Sequence, residues 1–121
     1  MFQANADPSK NLLTFAFSQH VTPDETRRWK GELPGLLTQL KPGFNLLSDF
    51  SGVESIDLAC APDIESAMDL LNQAGISKVV RIITHPRQDI GLSIMSFFHY
   101  RRCVAKVTVE TMEEGLKALA D

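Results

Sequence analysis

Leu13, Phe15 and Phe17 alternate with Thr14 and Ala16 near the start of the chain. Successive side chains of a strand point to opposite faces, so this spacing predicts a strand with one apolar face. The less apolar stretch 2–6 precedes it across the turn-rich segment Asp7-Pro8-Ser9-Lys10-Asn11, and together they predict a β-hairpin. The period then lengthens. Thr22-Pro23-Asp24-Glu25 reads as a helix start: the threonine hydroxyl can take an orphan N–H, proline suits the first helical position, and Glu25 can reach back. Trp29 and Leu33 begin the inward stripe, which Leu36, Leu37 and Leu40 continue. Pro34-Gly35 interrupts it, because proline removes a helical hydrogen bond, and predicts a kink or two short helices.

Lys41-Pro42-Gly43 predicts a turn, residues 44–50 a buried strand, and residues 51–60 a loop. Pro62 and Asp63 open a second helix with Ile64, Ala67, Met68 and Leu71 on one stripe, closed by Gly75 as a left-handed cap. The β-branched run at 78–84 suits a parallel strand covered on both faces. His85-Pro86 stops it, and a third helix is expected through Tyr100. Residues 103–109 predict the last strand. Thr111-Met112-Glu113-Glu114 opens a terminal helix with Met112, Leu116 and Leu119 turned inward. Strands separated by helices need crossovers. The chain is therefore expected to be α/β: one mixed, mostly parallel sheet of about five strands, with about four helices and the N-terminal hairpin at its edge.

At 121 residues the chain fits a single domain spanning 1–121, and its 44% hydrophobic content can furnish the core. A net charge of −3, with only Arg27-Arg28 and Arg101-Arg102 as paired cations, argues against a nucleic-acid partner. Cys60 and Cys103 make no disulfide framework. The first residues lack a cationic, apolar leader, and no stretch reaches the roughly 18 apolar residues of a membrane span, so a cytoplasmic location is expected.

The string LLSDFSGVESID, from Leu46 to Asp57, resembles the STAS domain of the anti-sigma-factor antagonists, the SpoIIAA-like group. In that family an apolar strand runs into an aspartate, a Gly-Val link and a second aspartate before a helix; Asp49, Gly52, Val53, Ile56 and Asp57 fit those places. The resemblance implies a STAS/SpoIIAA-like fold over most of the chain. It also locates a departure: family members carry a phosphorylatable Ser or Thr just after the aspartate matched by Asp57, where this chain has Leu58. Leucine cannot accept the roughly two negative charges by which phosphorylation acts. Ser51 and Ser55 are the nearby alternative hydroxyls, each also explained by ordinary turn hydrogen bonding.

Sites in open parallel sheets form beyond the carboxyl ends of the strands. That rim would gather His20, Asp57, Cys60, His85, Arg87 and Asp89. A Cys60–His85 pair would supply a thiolate and its base, yet a lone cysteine is more often a small buried hydrophobe. His20, His85 and Cys60 include zinc-type donors but lack the short spacings of a metal motif, so neither metal nor cofactor is expected. Arg81, within Val79-Val80-Arg81-Ile82-Ile83, needs an acid or an exit to water, and Asp49 and Asp57 are candidate partners. The third helix carries Ile90, Ile94, Phe97 and Phe98 on one stripe and Leu92, Met95 and His99 on an adjoining face, more apolar surface than one buried stripe needs.

These features favour a non-catalytic binding or regulatory module acting through protein–protein contact, self-association included, through the Leu92, Met95 and His99 face. A small apolar-ligand or lipid carrier is the alternative, and a thiol-dependent enzyme using Cys60 and His85 the second.

Overall fold

The computed structural model describes residues 1–83 and 104–120. The expected third helix with Leu92, Met95 and His99, and the loop of His85, Arg87 and Asp89, lie outside the described residues. Among the described residues five strands form one sheet in the order β1-β2-β3-β4-β5: β1 Phe2–Asp7, β2 Leu12–Val21, β3 Asn45–Ile56, β4 Lys78–Ile82 and β5 Ala105–Val109. β1 runs antiparallel to β2, and the pairings β2–β3, β3–β4 and β4–β5 are parallel. The hairpin turn is held by Asp7, whose carboxylate accepts from the Ser9 amide at 3.0 Å and its hydroxyl at 2.5 Å. The Ser9 hydroxyl is the main reason this carboxyl titrates below its usual range.

Helices α1 (Pro23–Leu37) and α2 (Ala61–Gln73) cover one face of the sheet; α3 (Met112–Ala120) covers part of the other. The Thr22 hydroxyl caps α1 by accepting from the Glu25 amide. The Glu25 carboxylate is not spent on a reciprocal cap, since it lies 2.7 Å from the Met1 ammonium. A single helix passes through Pro34, in place of two short ones. Pro34 stands one turn from the end, so its ring deprives only the Lys30 carbonyl of a donor. The Thr38 hydroxyl closes the terminus by donating to the Gly35 carbonyl at 2.6 Å.

The first core joins Leu13, Phe15 and Phe17 of β2, Leu46 of β3 and Val79 of β4 to Trp29 and Leu33 of α1 and the Ile64, Ala67, Met68 and Leu71 stripe of α2. Between the helices, Lys30 pairs with Asp63 at 2.9 Å, and the buried Thr26 hydroxyl lies 3.4 Å from the same carboxylate. The second core is smaller: Leu47, Val80 and Ile82, closed by Ala118 and Leu119. Here α3 is seated differently from its sequence expectation. Met112 and Leu116 are exposed, and Gly115 faces the sheet, where a Cβ would stand 3.3 Å from side-chain atoms of Ile82 and Leu47. The helix approaches on its smallest residue, which rotates the apolar pair outward. The Lys78 ammonium, donating to the Ala118 carbonyl, anchors its far end.

Candidate functional site: the carboxyl-edge rim

The expected loop at 51–60 is mostly strand. β3 continues to Ile56, a 3-10 turn spans Leu58–Cys60, and α2 follows at once. The β2–β3 register slips between Ala16 and Ser18 and again between Gln19 and His20. Each slip inserts one extra residue into β3, the signature of a bulge that re-aims side chains at a strand end. Gln19 sits at the second slip with φ 62°, a left-handed conformation that side chains other than glycine adopt at a cost.

The bulges bring His20 opposite Ser55, with Nδ1 and the hydroxyl 2.5 Å apart. With the ring proton on Nε2, the hydroxyl donates to Nδ1. This contact joins His20, expected on the rim, to Ser55, read separately as an alternative hydroxyl. Among the described residues no carboxylate orients His20, and both side chains reach solvent, so the pair is a base–hydroxyl contact without the third member that activates a nucleophile. Its only sequence signal was the end of one parallel strand beside the next, hidden by the extra residues in β3.

Asp57 caps the 3-10 turn, accepting from the Ala59 amide at 2.9 Å. Asp49 serves a similar local purpose, accepting from the Ser51 amide at 2.9 Å. The β3–β4 register sets Asp49 beside Ile82 and Ser48 beside Arg81, so Asp49 and Arg81 project to opposite faces. Leu58, at the position where the resemblance expects a phosphorylatable residue, is 65% exposed. An apolar side chain this open, directly after the turn-capping Asp57, was not legible as a surface residue.

Cys60 is fully buried, its thiol 3.6 Å from the Val21 carbonyl that it faces as a donor. Burial pushes the thiol above its ordinary value of 9.0, the Thr26 hydroxyl counteracts in part, and the charges of Asp57 and Asp63 add to the rise. A nucleophilic cysteine needs the reverse: a positive, accessible surrounding. Alkylation followed by peptide mapping is expected to leave Cys60 unmodified in the folded chain at pH 8 and label it fully after denaturation; labelling at equal rates in both states would refute this burial. The linkage has a definite sign. The folded-state thiol ionises at higher pH than the unfolded one, so its contribution to stability is complete below the ordinary thiol value and is lost as pH rises from there through the higher folded-state value. Among the described residues no group of three or more His, Cys, Asp or Glu side chains could hold a metal ion, and His85 lies outside them.

The sheet order, the antiparallel first strand and the helices on both faces define a STAS/SpoIIAA-like fold. The chain superposes on an uncharacterised protein of the DUF3478 family with a SpoIIAA-like fold from Shewanella loihica PV-4, with TM-score 0.73 and 16% identity over 98% of this chain and 93% of that one. It is similar to the anti-sigma factor antagonist SpoIIAA in its unphosphorylated form, with TM-score 0.65 and 10% identity over 99% and 97% of the two chains. A serine-to-glutamate variant of Moorella thermoacetica RsbS gives TM-score 0.65 and 18% identity over 98% and 93%. No protein-family model matches the sequence, and no curated protein sequence matches it. Among the described residues no helix is long and apolar enough to cross a membrane.

Proposed function

We propose that this chain is a non-catalytic protein-binding module that docks its partner on the carboxyl-edge rim around Leu58. The exposed leucine carries this reading. Burying a leucine side chain contributes about 1.5–3 kcal/mol to an interface, and a single anchor beside polar neighbours is how contact energy concentrates. The rim supports docking better than chemistry: its aspartates are engaged with backbone amides and its thiol is sealed. Structures of the same fold include anti-sigma factor antagonists, a name that supports a role in protein contact. A leucine in the place of the hydroxyl makes docking here independent of phosphorylation at that position.

The test compares affinity capture from the native host by the wild-type chain and by Leu58→Asp, with mass-spectrometric identification. One partner is expected to be lost about tenfold with Leu58→Asp, since an interfacial leucine replaced by a charge forfeits its burial energy. Because Leu58 is exposed, its unfolding free energy should stay within about 0.5 kcal/mol of wild type. Equal capture by both chains would remove the rim from the interaction.

A further inference from the structure

The opposite edge of the described sheet is a strand built for pairing. β1 carries no proline, no charge before Asp7 and no bulge against β2, so it lacks the devices by which edge strands avoid company. Met1 and Ser18 exchange both backbone hydrogen bonds, at 3.1 and 2.9 Å. In an antiparallel ladder such pairs alternate with pairs that bond outward. Gln3 and Asn5 therefore bond to β2, while Phe2, Ala4 and Ala6 direct their N–H and C=O groups away from the sheet. Beside this edge runs an open groove of about 770 Å³, walled by residues 1–5 and by Arg28 and Glu32 of α1. The Arg28 guanidinium stands 5.5 Å over the Phe2 ring, and both charged residues are exposed.

We propose that the occupant of this edge is a second copy of the chain, paired β1 to β1 about a dyad at Ala4. The strand is nearly palindromic in chemistry around that residue. With Ala4 opposite Ala4 of the partner subunit, Phe2 meets the small Ala6 of the partner subunit, and roughly six backbone hydrogen bonds form from groups that β2 leaves free. On the other face Gln3 stands opposite Asn5 of the partner subunit, and two carboxamides can each donate and accept. The helices complete the match. Arg28 and Glu32 lie one turn apart with opposite charges, and a dyad sets α1 antiparallel to its mate, so Arg28 of each copy faces Glu32 of the other. A foreign peptide would satisfy the backbone groups but has no reason to satisfy this reciprocal charge pattern. The pairing joins two sheets into one continuous ten-stranded layer.

Sedimentation of the full chain across a concentration series tests the proposal. Wild type is expected to dimerise. Arg28→Glu and Glu32→Arg should each raise the dissociation constant about tenfold, because each sets like charges together, and the double reversal should restore it to within about threefold. Ala4→Pro removes an outward N–H and no bond to β2, and should yield a monomer with unchanged circular dichroism. Should proline perturb folding, the exposed charge reversals still decide the matter. A wild-type chain that stays monomeric to about 0.5 mM, or a dimer indifferent to all four variants, would overturn the proposal. Either result would leave the Leu58 contact with a different protein standing.

Discussion

Trp29→Ala is expected to lower the unfolding free energy by about 3–5 kcal/mol, the range for an aromatic removed from a packed core. Trp29 is only 1% exposed and meets Phe15 and Phe17 edge-on, with ring centroids 5.1 and 5.4 Å away. Phe17 in turn stacks on Phe50 at 6.0 Å, so the indole keys α1 to β2 and, through Phe17, to β3. The neighbourhood has little slack. The space among Phe17, Val21, Thr26, Trp29, Phe50, Ile56 and Ile64 holds about 10 Å³, at most one water. Removing the indole therefore opens a cavity that rigid strands on one side cannot fill. Trp29→Phe should cost less for two reasons: it keeps a ring, and it deletes a buried Nε1–H with no hydrogen-bond partner among the described residues. Urea denaturation of both variants checks the ordering. A loss below about 1 kcal/mol for Trp29→Ala would mean that α1 does not depend on this contact.

The helices and the middle strands were readable because their physics is local. Thr22-Pro23 states a helix start in adjacent residues, the Ile64, Ala67, Met68 and Leu71 stripe repeats at the helical period, and Val79-Val80 belongs to a strand buried on both faces. The end of β3 was not local in this sense. Its buried residues Phe50, Val53 and Ile56 are spaced by three, because each bulge adds one residue, and a period-of-two reading finds only a loop there. That error concealed the His20–Ser55 contact, which depends on where two strands end together. The terminal helix failed differently. Met112 and Leu116 have the spacing of a buried stripe, but the distance between helix and sheet is set at Gly115, a residue with no hydrophobic signal. Charge alone offered Asp49 and Asp57 as candidate partners of Arg81; the register instead sets Asp49 on the opposite face of the sheet, and the carboxylates of both aspartates accept from amides two residues on.

Gly75→Val should cost about 3 kcal/mol, the second-largest loss expected, from two separable sources. Gly75 follows α2 with φ 90°, where a β-branched residue is a genuine outlier. A Cβ there would also stand 3.0 Å from Pro42 Cβ and 3.2 Å from Pro42 Cα. Neither neighbour is the free end of a flexible chain, so the turn itself must shift. That turn matters to the sheet: the Gly43 amide donates to the Gly75 carbonyl at 2.7 Å, and the Ser77 amide to the Phe44 carbonyl at 2.8 Å, which together align the starts of β3 and β4. Gly75→Asn distinguishes the sources. Asparagine tolerates positive φ better than other side chains but keeps the Cβ, so most of the loss should persist if the Pro42 contact dominates and most should vanish if the dihedral does. The structure favours the first outcome, because a contact at 3.0 Å against a ring carbon and backbone has no soft direction in which to relax.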